Sequence, residues 1–375
     1  MTVLELELER VAHGGFVVAR ADEKVVFVTG GLPGEFVRAE VVSRAKRFDR
    51  ARVVEVLRPS PGRVVPPCPI AEECGGCDWQ HASPELQLEL KTAVVAEQLE
   101  RLAGIAWDGS VQSVGSAVGS RTRMRYAVDE EGRVGLRGRR SHDVVALPEQ
   151  GCLVAADGPR TAELRRLGAG RSELQVVNAD GRLTVLADGR PVVGSRTVTQ
   201  RVRGRDYRVS ASGFWQVHPS AAELLTGAVL EGLGPRPGET ALDLYCGVGP
   251  FAGALADRGC DVLGIELSRE AINHARRNVP EARFLAAPLA GALDAFPAAA
   301  DLVVLDPPRK GAGSEVVTAI AGLGARAVAY VACDPAALAR DLATFAALGY
   351  HPDSIEAWDL FPMTHHVECV AILRR

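Results

Sequence analysis

Thr240-Ala241-Leu242-Asp243-Leu244-Tyr245-Cys246-Gly247-Val248-Gly249-Pro250-Phe251 is the stretch on which the reading of this chain turns. An apolar run suited to a strand buried on both faces enters a glycine-rich turn, and a helix-forming segment follows. Glycines after a parallel strand let the backbone approach a ligand closely, with a helix N-terminus behind them. Taken alone, such a loop could serve a nicotinamide dinucleotide, S-adenosylmethionine, or no ligand at all. The glycines fall at Gly247, Gly249 and Gly253, without the third glycine where a pyrophosphate fingerprint needs it. Asp243 stands just before the loop, where an acid suits a cationic, amino-acid-bearing ligand better than a diphosphate. The next strand ends about 20 residues on in Glu266, which can bind both ribose hydroxyls. S-adenosylmethionine fits this set best.

Working outward, apolar runs at 240–245, 261–266, 301–306 and 327–332 suit parallel strands, and helical segments at 268–278 and 335–347 lie between them. This alternation predicts a doubly wound α/β domain over 212–375. Residues 1–58 read instead as short strands broken by turns such as Gly30-Gly31-Leu32-Pro33-Gly34, which predicts a small OB-like β-barrel of the kind that handles single-stranded nucleic acid. Between them, 59–211 reads as a central domain. It opens with a cysteine-rich loop and a helix capped by Ser83 with Pro84 at its first turn. Leu86, Leu90, Val94 and Leu99 recur at helical spacing as far as Gly104. Turn-rich strands fill 120–210.

The whole chain has 375 residues, 47% of them hydrophobic and 24% charged, which excludes a disordered or collagen-like protein. No stretch approaches the length of a transmembrane helix, and 1–7 lacks the basic and apolar regions of a signal peptide. A cytoplasmic address without a membrane partner is the expectation, and nothing calls for an obligate protein partner. Net charge is −4, yet basic residues cluster. Arg38, Arg44, Lys46, Arg47, Arg50, Arg52, Arg58 and Arg63 form one group. Arg121, Arg123, Arg125, Arg133, Arg137, Arg139 and Arg140 form another, and Arg201, Arg203, Arg205 and Arg208 a third. Such patches on an acidic chain point to a face for phosphates, or simply to solvated strand faces.

The reacting groups come from the ends of later strands. Asp306-Pro307-Pro308-Arg309 makes a stiff platform at the carboxyl edge of the sheet, where open α/β folds bind ligands. Arg309 stands where amino-group methyltransferases often carry an aromatic residue, which argues for different chemistry. Cys333 ends the 327–332 strand beside a helix N-terminus expected to lower its thiol pKa. Glu368 enters an otherwise apolar strand, Val367 to Leu373, and a carboxylate there needs a reason. A thiol, a carboxylate and a methyl cation donor together point to alkylation at a pyrimidine carbon. Thiolate addition at C6 of uracil makes C5 nucleophilic, and a base must then remove the C5 proton. Cys333 is the candidate nucleophile and Glu368 the candidate base.

These residues resemble the RNA 5-methyluridine (uracil-C5) methyltransferase family, in its branch with an N-terminal TRAM domain and an iron–sulfur cluster. The resemblance covers nearly the whole chain. It implies a Rossmann-like class I S-adenosylmethionine-dependent methyltransferase domain, with the N-terminal barrel as the TRAM domain. Gln216, in Phe214-Trp215-Gln216-Val217-His218, matches the family's cofactor-contacting glutamine. The loop residues Asp243, Tyr245, Gly247 and Gly249, with Glu266 and Asp306, match its other cofactor contacts. Cys333 matches its nucleophile and Glu368 its base, preceded by His366 as in the family. Pro250, the segment Phe284-Leu285-Ala286-Ala287-Pro288 and Asp334 depart from the usual polar residues, which implies changed cofactor affinity with every reacting group kept. The implied substrate is structured RNA, ribosomal before transfer RNA. A non-catalytic RNA-binding or assembly protein is the reading from another class.

Cys68, Cys74, Cys77 and the distant Cys152 remain. Four thiolates accept either zinc or an iron–sulfur cluster, and eight cysteines in a cytosolic chain are not expected to pair as disulfides. The resemblance implies a [4Fe-4S] cluster on these four. Trp79, beside Gly75-Gly76, reads either as a base-stacking residue or as core.

Overall fold

A computed structural model describes residues 2–139 and 141–375; Met1 and Arg140, the latter named above in a basic cluster, lie outside the described residues. The N-terminal strands Val3–Ala12, Phe16–Ala21, Lys24–Thr29, Phe36–Arg44 and Phe48–Arg58 close into a barrel. Alternate side chains turn inward, so Leu6, Leu8, Val17, Ala19, Val26, Val28, Val37, Ala39 and Ala51 fill it. A second unit is a six-stranded antiparallel sheet built around Glu173–Ala179, flanked by Arg182–Ala187 on one side and Arg123–Val128 on the other.

The largest sheet has eight strands. In spatial order they are Arg283–Ala286, Asp261–Glu266, Thr240–Leu244, Leu302–Leu305, Ala327–Ala332, Glu368–Arg374, His351–Asp359 and Val111–Ser113. The first five run parallel, and Glu368–Arg374 is antiparallel to both of its neighbours. The central strands read as unbroken apolar runs because helices cover both faces; every residue of Leu302–Leu305 and Ala327–Ala332 is buried.

The expected cut at residue 212 separates residues that this sheet joins. Val111–Ser113 forms its outer edge beside His351–Asp359, and the helix Pro84–Ala103 packs against the helix Pro335–Ala347. Ser83 caps that earlier helix by accepting the Leu86 N–H at 3.2 Å, and Gly104 ends it with φ 66°. Its Val95 and Leu99 enter the core of the large sheet with Leu342 and Phe345. Leu90 and Val94 meet Val11, Leu32 and Trp79 on the barrel side. One amphipathic helix thus grips two units at once. Trp79 is 1% exposed, which excludes it as a base-stacking surface.

Several arginines of the clusters pair with carboxylates of the fold, most of them while staying exposed. Arg38 pairs with Glu5 and Glu55, Arg58 with Glu7, Arg63 with the buried Glu35, and Arg133 with Asp129 and Glu131. Arg205 pairs with Asp257 and Glu281 across two helix ends. Arg123 donates to the carbonyls of Ala211 and Gly213. A sequence shows the density of positive charge but not the carboxylates that strand pairing brings alongside it.

Candidate active site

The strand Thr240–Leu244 delivers the chain into a turn of unusual backbone. Tyr245 takes φ 62°, which costs a non-glycine residue about 1–3 kcal/mol, and Gly247 and Gly249 follow at φ 55° and 94°. Gly249 caps the helix Pro250–Ala256; a Cβ there would meet Val279 at 3.3 Å. The turn walls a cleft of about 500 Å³ shared with Phe214, Trp215, Gln216, Pro250 and Asp306. Of the expected cofactor residues, Gln216, Tyr245, Gly247 and Asp306 therefore converge.

Asp243 does not line this cleft. It is wholly buried beneath the loop, where its Oδ2 accepts the Ala252 N–H at 2.8 Å and its Oδ1 has no hydrogen-bond partner. Burial pushes its carboxyl well above the usual range, which favours the neutral acid. Its Oδ2 ties the loop to the first turn of the following helix. Glu266 clasps the turn from the next strand. Its Oε2 accepts the Gly247 N–H at 3.3 Å, and its Oε1 accepts Ser268 N–H at 2.7 Å. Pro250 lines the cleft at the position where the resemblance expects a polar cofactor contact, and Phe214, two positions before Gln216, joins its wall at 76% exposure.

Beyond Asp306 the candidate reacting groups share one edge. Ala332 pairs antiparallel with Cys369, so the same register brings Cys333 level with Glu368. Glu368 is 2% exposed, and burial followed by the nearby Asp306 carboxyl pushes it well above the ordinary carboxylate range. Asp306 itself is raised to about 7 by burial. The Cys333 thiol is pushed up to about 12, first by burial and then by the carboxyls of Glu368 and Asp306, with Arg309 opposing them. The expected lowering by the helix N-terminus is therefore overturned. Asp334 already caps that helix, its Oδ1 accepting Ala337 N–H at 2.8 Å. This environment favours Cys333 as a thiol.

The segment from Asp359 to Glu368 is held from outside the sheet. Buried Lys91 donates to Asp359 Oδ1 at 2.5 Å and to the Phe361 carbonyl at 3.1 Å. Met363, itself at φ 65°, accepts the N–H groups of Asp78 and Trp79 at its carbonyl and donates its own to Gln87. Asp78 Oδ2 takes the His365 N–H at 3.2 Å and the His365 ring Nδ1 at 2.6 Å. Arg309 Nη2 lies 3.2 Å from His366 Nε2. No sequence signal tied these partners together.

Cys68, Cys74, Cys77 and Cys152 all open on a single cavity, whose wall includes Arg121, Arg309, His365 and His366. Burial raises the thiols of Cys74 and Cys152 and takes Cys77 to about 11, and the neighbouring cysteines add to each rise. Cys74, Cys77 and Cys152, which disfavour thiolate charge side by side, are donors that a polycation would satisfy. Among the described residues, however, no three His, Cys, Asp or Glu side chains form a group able to hold a metal ion. The expected set is present as separate thiols around one cavity, not as a closed ligand group. Among the described residues no helix is long and apolar enough to cross a membrane.

A doubly wound sheet with a glycine-loop cleft at its carboxyl edge defines the class I S-adenosylmethionine-dependent methyltransferase fold. Three family models match in keeping with this: a TRAM domain over residues 2–54, a methyltransferase domain over 241–307, and tRNA (uracil-5-)-methyltransferase over 292–375. An uncharacterized RNA methyltransferase of Streptomyces avermitilis is 45% identical over 423 aligned positions, covering 98% of this chain and 97% of its own. The 23S rRNA (uracil(1939)-C(5))-methyltransferase of Alkalilimnicola ehrlichii is 33% identical, covering 99% and 96%. The crystal structure of Pyrococcus abyssi tRNA (uracil-54, C5)-methyltransferase, solved with S-adenosyl-L-homocysteine, superposes with a TM-score of 0.78 at 26% identity over 98% of this chain and 99% of that one. The chain belongs to the TRAM-bearing RNA uracil-C5 methyltransferase family.

Proposed function

We propose that this protein methylates C5 of a uridine in structured RNA, with Cys333 as nucleophile and Glu368 as base. The observation that carries the reading is the strand register that sets Cys333 level with Glu368, at the edge where Asp306 borders the glycine-loop cleft. When bound, S-adenosylmethionine supplies an electrophilic methyl group; Gln216, Tyr245, Gly247 and Asp306 would hold it, with Glu266 at the loop. The Cys333 sulfur bonds to C6 as the C5–C6 double bond opens, and C5 gains nucleophilic character. Loading the site releases to solvent the protons that Cys333 and Glu368 hold at rest; once C5 carries the methyl group, the Glu368 carboxylate takes the C5 proton, the C5–C6 double bond re-forms, and the S–C6 bond breaks with the sulfur leaving as thiolate. A base paired in a duplex hides C6, so the uridine must be unpaired or flipped out.

Burial that keeps Cys333 a thiol and Glu368 a neutral acid at rest supports a site activated only when loaded. A sulfonium and a bound pyrimidine would change the local charge at the moment the thiolate is needed. Large-subunit ribosomal RNA is the favoured substrate. A relative aligned over 99% of this chain carries a 23S rRNA name, while the solved neighbour carries a transfer RNA name at lower identity. Cys68, Cys74, Cys77 and Cys152 would hold a [4Fe-4S] cluster with a structural role beside the base segment. The domains are read as an RNA-binding barrel over 1–58, a cysteine-bearing central unit over 59–211, and a methyltransferase unit over 212–375 that borrows the helix Pro84–Ala103 and strand Val111–Ser113.

Labelled S-adenosylmethionine, offered with unmodified ribosomal or transfer RNA separately, tests activity and target together. 5-Methyluridine in ribosomal RNA is the expected product, and the same product in transfer RNA would move the target while keeping the chemistry. Cys333→Ala should abolish labelling, whereas Glu368→Gln should accumulate a covalent RNA adduct. No label in either RNA, with cofactor binding intact, favours the RNA-binding scaffold reading. Anaerobic purification with iron supplied should yield a brown protein; a colourless one with stoichiometric zinc would refute the cluster.

A further inference from the structure

The barrel reaches into the reacting edge through one turn. His13-Gly14-Gly15 joins the strands Val3–Ala12 and Phe16–Ala21, and His13 Nε2 lies 3.0 Å from Asp334 Oδ2. Asp334 follows Cys333 directly, and its other oxygen caps the helix Pro335–Ala347. The helix and the barrel therefore hold one oxygen each, and the backbone next to the nucleophile is fixed from both sides. Two positions on, Gly15 lies against His365, three residues before Glu368. Gly15 sits at φ 81°, and a Cβ there would come within 3.2 Å of the His365 Cβ and Nδ1, so both the backbone and the close approach favour glycine. Asp78 holds His365 from its ring nitrogen. A single barrel turn thus touches the segment that carries the nucleophile and the segment that carries the base.

Neither contact is needed to close the barrel, whose core is complete without residues 13–15. The His13–Asp334 pair is also poorly placed to add stability. The two side chains are 37% and 22% exposed, and pairs so open to solvent contribute little. Its value lies in position, since a misplacement of about 1 Å at a reacting atom can cost about 100-fold in rate.

We propose that His13 is a positioning residue for methyl transfer: through Asp334 it fixes the Cys333 sulfur, so the barrel sets the rate of thiolate addition as well as RNA affinity. The proposal rests on Cys333 being the nucleophile. Its test uses the full-length protein, S-adenosylmethionine and ribosomal RNA transcribed with 5-fluorouridine. The sulfur bonds to C6 and C5 takes the methyl group, but C5 carries fluorine where the base needs a proton, so the adduct persists and can be counted on a denaturing gel.

With His13→Ala, adduct formation at saturating RNA should slow about 10- to 100-fold, while the RNA dissociation constant and melting temperature stay as in the parent. His13→Gln, whose amide can still donate to Asp334, should recover most of the rate. A loss confined to RNA affinity, with the saturated rate unchanged, would overturn the proposal and leave the barrel as a grip alone. An unchanged rate and affinity would overturn it too. If the parent protein methylates uridine yet forms no adduct, the nucleophile assignment fails first and the proposal with it.

Discussion

Lys91 Nζ stands 2.5 Å from Asp359 Oδ1, with Lys91 1% and Asp359 7% exposed, and the pair ties the helix Pro84–Ala103 to the start of the base segment. Two desolvated charges gain little net stability over an apolar pair, but removing one strands the other. Lys91→Met should lower unfolding stability by about 3–5 kcal/mol, read by urea denaturation. Adding Asp359→Leu should return part of that loss. A double variant as unstable as the single one would mean that packing, and not charge pairing, sets the cost.

Asp78 holds His365 at two nitrogens, while the backbone bonds from Asp78 and Trp79 to Met363 do not involve its side chain. Asp78→Ala should therefore leave the fold intact and lower kcat about tenfold or more, with KM for RNA little changed. Asp78→Asn keeps an acceptor and should recover most of the rate. Steady-state kinetics on the three proteins decide the matter, and a rise in KM alone would contradict a role in placing the base.

Glu368 has its carboxyl raised well above the usual range by burial. A folded state that holds this proton more tightly than the unfolded chain loses stability as pH climbs above the unfolded value near 4.5. Glu368→Gln removes that penalty. The variant should melt at a higher temperature than the parent at pH 8, with the difference shrinking towards pH 4.5. Thermal melts across this range measure it directly, and a pH-independent difference would argue against a protonated resting acid.

Cys333 has its thiol pushed up to about 12. Alkylation of the Cys333 peptide by iodoacetamide, followed by mass spectrometry, should accelerate about tenfold per pH unit up to pH 10 without a plateau. A plateau near neutrality would show a thiolate already formed in the free protein.

Tyr245 lines the cleft in a left-handed backbone conformation. Tyr245→Gly should relieve about 1 kcal/mol or more of strain while removing a wall of the cofactor cleft. Stability should hold or rise as the dissociation constant for S-adenosylmethionine increases. Calorimetry of binding and unfolding separates the two effects.

Local physics made much of this legible in one dimension. The glycine turn after 240–244, the buried apolar runs, and Ser83 with Gly104 around one helix each follow from backbone sterics and side-chain periodicity, which neighbours in sequence determine. Cys333 and Glu368 could be chosen because an acid on an apolar strand and a thiol at a strand end are chemically conspicuous. What composition could not supply was environment. Nothing local showed that Asp243 is wholly buried and bonded to the Ala252 N–H. Cys333 looked activated by a helix N-terminus until burial and two neighbouring carboxyls reversed the sign. The carboxylates that pair with Arg38, Arg58 and Arg205 were likewise set beside them by folding. Nor could any local rule bring His13 to Asp334, Asp78 to His365 or Lys91 to Asp359, each separated by well over two hundred positions. The sequence by itself determined which chemical groups exist and which elements carry them; the tertiary structure decided their charge states and partners, because desolvation and long-range contact depend on what folding brings alongside.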